Sequence, residues 1–257
     1  MKDKIKVAAV SYLNTKPFLY GIFDHGLEAE LELQLDIPSV CAQKLTDGEV
    51  DLGLVPVAVI PQIETPHIIS DYCIGTVGSV KTVCLYSDCP LEEITEVFLD
   101  HHSRTSVELL KILMQEHWKI RPVEIPAKDG YIDLIKGSRA GLVIGDRTIG
   151  LEKRFSYAFD LGQAWEDFTD LPFVFAAWVS NKPLSPDFVA RFNKALAAGL
   201  DHIPQLVYLL PQPEADFDLE TYFTHYISYD LDASKRKALD LFLKKLGVKR
   251  QVEGLLV

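Results

Sequence analysis

The chain has 257 residues, enough for one large domain or for two lobes that each bury a core. Its composition, 48% hydrophobic and 25% charged, is that of a globular protein and excludes the disordered and fibrous classes. The formal net charge of −11 and the pI near 5.1 argue against nucleic acid or an anionic membrane as partner, since both call for a basic surface.

The amino-terminal apolar stretch, residues 7–10, is too short for the core of a signal peptide. No apolar run elsewhere approaches the length of a membrane span. We therefore expect a cytoplasmic protein without a membrane partner.

The four cysteines stand at irregular separations and form no Cys-x-x-Cys pair, so we expect buried thiols. The seven histidines include no His-Glu-x-x-His motif. We expect the adjacent side chains of His101 and His102 to diverge, and we predict no metal site.

Short runs rich in Val, Ile and Leu alternate with helical patterns from the start of the chain, which is typical of an α/β fold. "KIKVAAV" predicts a buried strand, "AELELQLDI" a half-exposed one and "VDLGLVP" a further strand. Between them, "PSVCAQKLTDG" predicts a helix with Ser39 as N-cap and Gly48 at its end.

The later elements follow the same alternation. "SVKTVCLYS", "EVFLD", "AGLVIGD" and "LPFVFAAWVSNKP" predict strands, and "SRTSVELLKILMQEHW" predicts a helix from its apolar spacing. After residue 183 the chain is mainly helical, with Ser185 and Pro186 as N-cap and first helical residue and an amphipathic helix in "ASKRKALDLFLKKLG".

The long strands around Thr82 and Phe175 enclose a middle block with strands and helices of its own. If both strands cross between lobes, residues 1–85 and 176–257 form the first lobe and residues 86–175 form the second. That arrangement predicts a two-lobed binding-protein topology with a ligand cleft between the lobes.

Polar side chains crowd the exit of the first strand in "SYLNTKPF". Pro17 suits a first helical turn with Asn14 or Thr15 near the cap, so one polar residue is explained by capping. Ser11 and Tyr12 are not explained in this way. Since ligands bind at the carboxyl ends of strands in open α/β sheets, we interpret the stretch as part of a ligand site.

A second polar cluster lies in "LDHHSRTSVELL". Thr105 and Glu108 have the spacing of a capping box, which is a structural role. A helix start with three hydroxyls and Arg104 also suits an anion, because the free N–H groups and the helix dipole attract negative charge. Both roles stay open.

Two further motifs are weaker. In "GTVGSVKTVCLYS", Gly75 and Gly78 allow close backbone approach and Thr82 presents a hydroxyl. In "VIGDRT", Asp146 suits either a helix N-cap or a carboxylate that faces the cleft. The sequence has no glycine-rich phosphate loop, and no Ser-His-Asp or Cys-His set stands out.

Taken together, these motifs resemble the chorismate dehydratase family of the futalosine route to menaquinone. The matching runs lie in family order and include "SYLNTKPF", "DLGLVPVA", "CIGTVGSVKTVCLYS", "LDHHSRTS", "LVIGD", "DLGQAW" and "DLPFVFAAW". The chain departs from the family pattern at Thr82, where serine is usual, and at Asp170, where glycine is usual.

The resemblance implies a two-lobed fold like that of type II periplasmic binding proteins, with neither metal nor organic cofactor. It implies dehydration of chorismate, a small dianion, to 3-[(1-carboxyvinyl)oxy]benzoate. On this basis we assign Asn14 and Thr82 as catalytic. The substrate-binding candidates are Ser11, Tyr12, Ser39, Pro56, Ser103, Arg104, Thr105, Ser106, Gly145 and Asp146. Asn14 and the Thr105 helix start should then face one crevice.

Two other functions fit the same sequence. One is a binding protein that captures a small carboxylate without changing it, since one fold hosts many functions. The other is the related two-lobed enzyme that forms dihydroxynaphthoate later in the pathway, although its amino-terminal motif differs from "SYLNT". A transcriptional regulator is not indicated, because the sequence shows no helix-turn-helix segment. The oligomeric state is left open.

Overall fold

A computed structural model describes residues 4–247 of the chain. Its strands form two separate mixed sheets, so the predicted α/β class is confirmed. The first sheet has the order β11-β4-β10-β3-β1-β2. Its strands are β1 (Ile5–Val10), β2 (Leu31–Asp36), β3 (Leu52–Pro56), β4 (His67–Thr76), β10 (Phe173–Ser180) and β11 (Ser228–Asp230).

The second sheet has the order β7-β6-β8-β5-β9. Its strands are β5 (Val83–Ser87), β6 (Glu96–Leu99), β7 (Val123–Pro126), β8 (Arg139–Ile144) and β9 (Tyr157–Asp160). Strands β1, β2 and β3 run parallel in the first sheet, as do β6, β7 and β8 in the second. The carboxyl ends of parallel strands therefore meet at one edge of each sheet.

Eight α-helices accompany the strands over residues 4–247, and short 3₁₀ turns connect many of the elements. Within that range no helix combines the length and the apolarity of a membrane span. The helices are α1 (Lys16–Asp24), α2 (Pro38–Thr46), α3 (Thr105–Ile112), α4 (Leu161–Thr169), α5 (Pro186–Asp201), α6 (Ile203–Leu209), α7 (Leu219–Thr221) and α8 (Ala233–Lys245). Helices α3 and α7 each continue into one wide π turn, Leu113–His117 and Tyr222–Tyr226.

The predicted long strand through Thr82 is shorter than expected. Strand β4 ends at Thr76 in the first sheet, and β5 begins at Val83 in the second. Strand β10, which was expected to cross between lobes, pairs with β3 and β4 over its whole length. The division at residues 85/86 and 175/176 stays a prediction, and both of its boundaries would fall inside a strand.

Two glycines allow helices α1 and α5 to pack closely against each other. A Cβ on Gly21 of α1 would lie 1.9 Å from the Ala195 carbonyl oxygen of α5, and one on Gly199 would lie 2.0 Å from the Pro17 carbonyl oxygen. The two backbones can approach this closely only because neither residue carries a side chain. Helix α1 is thereby fixed against α5, and the turn that precedes α1 is fixed with it.

The capping predictions have mixed outcomes. Ser185 caps α5, since its Oγ accepts a hydrogen bond from the Phe188 N–H at 3.3 Å, as predicted. Gly48 follows α2 with a φ of +73°, as a helix-ending glycine should. Ser39 is not the N-cap of α2: Ile37 holds that position, and Ser39 lies inside the first turn.

Candidate functional site

Eight of the twelve predicted site residues line one pocket between the two sheets, here called the cleft pocket. Together with the open solvent at its mouth, it spans about 520 Å³. The eight are Tyr12, Asn14, Pro56, Thr82, Ser103, Thr105, Ser106 and Gly145. The structure therefore brings Asn14 and the start of the Thr105 helix to the same crevice.

The cleft pocket is built where parallel strands end. Asn14 and Tyr12 follow β1, Pro56 ends β3, and Gly145 follows β8. Ser106 lies in the first turn of α3, which follows β6. Both sheets thus contribute their carboxyl-terminal edges, which is where α/β proteins bind ligands.

The remaining lining is apolar and was not predicted. These residues are Val10, Pro38, Ile74, Val80, Val83, Ile144, Phe175 and Ala176. They belong mostly to buried strands, where an apolar side chain that faces a ligand has the same sequence signal as one that faces the core. Phe175 and the branched side chains around it suit a flat ring.

Four predicted site residues lie outside the lining of the cleft pocket: Ser11, Ser39, Arg104 and Asp146. Arg104 lines a different groove together with Glu108 and Lys111. Arg104, the predicted partner for an anion, is therefore not at the cleft pocket. Among the residues that the structure describes, those lining the cleft pocket carry no charged side chain. Any anion held there is bound by neutral hydrogen-bond donors.

Thr105 does not form the predicted capping box. Its Oγ1 accepts a hydrogen bond from the Ala58 N–H at 3.1 Å, across the cleft. Arg104 holds the N-cap position, and Ser103 Oγ, one residue earlier, accepts from the Ser106 N–H at 2.9 Å. Glu108 pairs with Lys111 at 3.1 Å, one turn along the helix. Thr105 therefore ties α3 to the first sheet.

Asp146 serves neither as a helix N-cap nor as a lining carboxylate. Both of its carboxylate oxygens accept hydrogen bonds from the Leu13 N–H, each at 3.1 Å. Burial raises the pKa of Asp146, while this hydrogen bond and the charge of Lys16 act in the opposite direction. The carboxylate joins the second sheet to the turn that carries Asn14.

Tyr12 makes a further contact across the cleft. Its hydroxyl lies 2.8 Å from His102 Nδ1, and burial raises the pKa of Tyr12 to about 12, so the phenol stays protonated. Its ring packs against Gly145, where a Cβ would lie 2.4 Å from the ring. Gly145 also has a φ of +65°, which favours glycine. Both the close ring contact and the backbone conformation therefore call for glycine at this position.

Four hydrogen bonds join the two halves of the molecule across the cleft. Besides the bonds of Leu13, Tyr12 and Ala58, the Ser39 N–H donates to the His102 carbonyl at 3.1 Å. Ser39, predicted to bind substrate, thus contributes its backbone to closure.

The carboxylate of Asp160 fixes the backbone before Thr82, a role that the sequence motifs did not indicate. Asp160, the N-cap of α4, accepts hydrogen bonds from Ser79 Oγ at 2.6 Å and from the Lys81 N–H at 2.7 Å. It also accepts from the Val80 N–H at 3.0 Å. The three residues before Thr82 are fixed in this way, and Lys81 adopts a φ of +64°.

The side chains of His101 and His102 were predicted to diverge, but they lie against each other. Their rings lie 4.5 Å apart and nearly perpendicular, and Asp129 Oδ1 lies 3.3 Å from His101 Nε2. The ligating atoms of the three residues lie within 4.8 Å of one another, close enough to hold a metal ion. The Asp129 side chain is 98% exposed, and the cluster stands outside the cleft pocket.

The unusual Asp170 keeps the turn that glycine would form. It ends α4 with a φ of +56°, in the left-handed region. Glycine adopts this conformation freely, and aspartate tolerates it better than most residues. The departure from the family pattern is therefore accommodated locally, away from the pocket lining.

Comparison with known proteins agrees with this architecture. The chain is 27% identical over 235 residues to a chorismate dehydratase of Thermus thermophilus, which covers 82% of this chain and 85% of the relative. A solved structure from Archaeoglobus fulgidus superposes with a TM-score of 0.72 at 16% identity, covering 95% of this chain and 98% of the other. The periplasmic aliphatic sulphonate binding protein SsuA of Escherichia coli gives a TM-score of 0.59 at 14% identity, covering 98% and 91%.

The structural neighbours confirm the predicted periplasmic-binding-protein-like fold. A family model described as menaquinone biosynthesis matches residues 5–247, which is nearly the whole chain. The chain therefore belongs to the menaquinone biosynthesis family.

Proposed function

We propose that this protein is an enzyme that dehydrates chorismate to 3-[(1-carboxyvinyl)oxy]benzoate. The observation that carries the proposal is the joining of Asn14, Thr82 and the α3 hydroxyls at one largely apolar pocket. The menaquinone family and the chorismate dehydratase relative support the same activity.

The pocket suits a small cyclic dianion. Asn14 and Thr82 offer neutral donors, and the amino end of α3 adds the favourable end of a helix dipole. Phe175 and the surrounding aliphatic side chains contact the ring. Directed hydrogen bonds in a dry pocket hold carboxylates without a cation, so the acidic net charge is no obstacle.

The reaction removes the C3 proton and the C4 hydroxyl of chorismate as water, and the ring becomes aromatic. The pocket offers no side chain suited as a base, since Asn14 and Thr82 do not titrate usefully and Tyr12 stays protonated. We therefore assign the proton acceptor to the substrate's own enolpyruvyl carboxylate, positioned by Asn14. Thr82 orients the leaving hydroxyl.

Orientation is the main contribution of the protein in this mechanism. The cross-cleft hydrogen bonds of Tyr12, Leu13 and Ala58 favour an arrangement that closes around substrate and excludes water during the reaction. A closed pocket holds the enolpyruvyl carboxylate beside the C3 proton. It also keeps the enolpyruvyl side chain away from the geometry that leads to prephenate. Fixing one reactive conformer in this way lowers the barrier without a strong acid or base.

Asp146 is the rival general base. Both of its oxygens already accept the Leu13 N–H, and it stands outside the pocket lining. Under the proposal, Asp146→Asn keeps turnover within about tenfold of wild type, because the amide oxygen still accepts that hydrogen bond. An inactive Asp146→Asn protein that still binds substrate would favour the general-base role instead.

The proposal is tested by following the ultraviolet spectrum of chorismate with purified protein, since aromatisation converts a diene into a benzoate. Asn14→Ala and Thr82→Ala should each lose about 100-fold or more in kcat, as loss of a key active-site donor does. Thr82→Ser is the matched control, because it keeps the hydroxyl and should stay active. Wild-type rates in both alanine variants would refute the assignment.

Two alternatives have distinct outcomes in this assay. A binding protein for a small carboxylate, which the sulphonate-binding neighbour makes worth testing, would bind chorismate and leave its spectrum unchanged. The related dihydroxynaphthoate-forming enzyme would neither bind nor convert chorismate.

A further inference from the structure

One buried phenol links the two residues proposed as catalytic. Tyr222 is 1% exposed, and its hydroxyl lies 3.2 Å from Thr82 Oγ1. The Asn14 side chain acts on the same phenol and lowers its pKa, as a neighbouring hydrogen-bond donor does. Tyr222 follows Thr82 by 140 residues, and none of the sequence motifs includes it.

The donors and acceptors of this set have a consistent direction. Asn14 Oδ1 accepts from Thr15 Oγ1 at 3.3 Å, so the amide nitrogen is the group of Asn14 that faces Tyr222 as a donor. Complete burial raises the pKa of Tyr222, so the phenol keeps its proton. The phenol can then donate to Thr82 Oγ1. The Thr82 hydroxyl lies 3.5 Å from the Val80 carbonyl oxygen, a long hydrogen bond that a ligand group in the cleft pocket would replace.

Tyr222 reaches these residues from behind. It lines a second pocket, here called the rear pocket, and not the cleft pocket. Thr82 lines both pockets, so it separates Tyr222 from any ligand in the cleft pocket. Tyr222 therefore acts on the substrate only through its neighbours.

The local backbone is built to present this phenol. Asp218 caps α7 through the Glu220 and Thr221 N–H groups, and the next turn is the wide π turn that begins at Tyr222. Such turns occur often at functional sites. Tyr229, in the following strand, donates its hydroxyl to the Asn14 carbonyl at 3.0 Å. One carboxy-terminal segment thus holds the backbone of Asn14 and the side chain of Thr82.

We propose that Tyr222 is a positioning residue that sets the side-chain orientation of Asn14 and Thr82 for the reaction. This inference rests on the proposed function of those two residues. It assigns to the carboxy-terminal segment a part in catalysis that none of the sequence motifs indicates.

Tyr222→Phe tests the inference, because it removes the hydroxyl and keeps the ring. We expect kcat for chorismate to fall about five- to tenfold, the scale of one buried neutral hydrogen bond, with KM changed less than about twofold. Tyr86→Phe is the matched control: Tyr86 is 2% exposed and donates to the Thr148 carbonyl at 3.4 Å. It should keep wild-type kcat.

A second comparison separates positioning from a structural role. If Tyr222 acts through Thr82, Tyr222→Phe should cost clearly less kcat in a Thr82→Ala background than in wild type. A structural role would give the same loss of kcat in both backgrounds. Equal losses would therefore overturn the inference.

The side-chain amide NMR signals of Asn14 in the ligand-free protein give a readout that does not need turnover. They should shift in Tyr222→Phe and stay in place in Tyr86→Phe. If the wild-type protein does not convert chorismate, the proposed function fails and these signals alone decide whether Tyr222 orients Asn14. If the wild type is active, unchanged kcat or unmoved signals in folded Tyr222→Phe overturn the inference and leave the proposed function standing.

Discussion

Gly145→Ala should weaken closure of the cleft as well as general stability. The new Cβ would lie 2.4 Å from Tyr12 Cε2 and 2.6 Å from Tyr12 Cδ2. The ring cannot move aside freely, because it is 9% exposed and its hydroxyl is bonded to His102. Overpacking of this kind costs about 1–3 kcal/mol. Because the clash arises only where the two sheets meet, it opposes the closed arrangement.

If closing the cleft around substrate becomes less favourable by about 1–3 kcal/mol, substrate affinity falls by about 5- to 150-fold. Alanine also pays about 1–2 kcal/mol for the positive φ of residue 145, and this cost falls on folding in general. Gly137→Ala separates the two costs. Gly137 has a φ of +60° and nothing within 4 Å of the added Cβ, so Gly137→Ala carries only the cost of the positive φ.

The assay is the dissociation constant for chorismate, measured by calorimetry on an otherwise inactive Asn14→Ala protein, together with the thermal unfolding midpoint. Both glycine variants should lower the midpoint, and Gly145→Ala should lower it more because it adds the contact with the Tyr12 ring. Only Gly145→Ala should weaken binding. Equal affinities in the two variants would show that contact between Tyr12 and residue 145 does not govern closure.

Three further predictions concern stability. Asp170→Gly should raise the unfolding midpoint by about 1–2 °C, because glycine relieves the left-handed φ at the end of α4. Ser185→Ala should cost about 1 kcal/mol in chemical denaturation, since it removes the cap of α5. His102→Gln should flatten the pH dependence of stability below 6.5. Burial and then the charge of Arg147 lower the pKa of His102, so the unfolded chain takes up a proton that the folded protein resists, and the wild type loses stability as pH falls.

Each stability prediction has a control or a contrary outcome. A midpoint that falls in Asp170→Gly would mean that the aspartate makes a contact worth more than the strain. Ser234→Ala, at an exposed site in the first turn of α8 where Asp232 is the cap, should leave denaturation unchanged. A His102→Gln protein with the pH profile of the wild type would assign that pH dependence to other groups.

Local patterns predicted most of the elements near the site. Apolar runs marked β1, β3, β5, β8 and β10, and the polar residues behind them marked the strand ends that form the cleft pocket. Strands β4, β7, β9 and β11 were not predicted. Strand β4 has Asp71 and several other polar residues among its 10 residues, so no uninterrupted apolar run predicts it.

Partners distant in sequence explain the remaining errors. Thr105 and Glu108 have capping-box spacing, yet the Thr105 hydroxyl bonds Ala58, 47 residues away. Asp146 has the position of an N-cap, yet it bonds Leu13, 133 residues away. Spacing along the chain reports only local hydrogen bonds, so the cross-cleft contacts and the phenol of Tyr222 carry no sequence signal.

The most direct measurement is identification, by mass spectrometry and NMR, of what the purified protein makes from chorismate. We predict an aromatic product that has lost one water and keeps the enolpyruvyl ether, formed by the wild type and hardly at all by Asn14→Ala. Unchanged chorismate, prephenate or released pyruvate would contradict the dehydration proposed for this pocket.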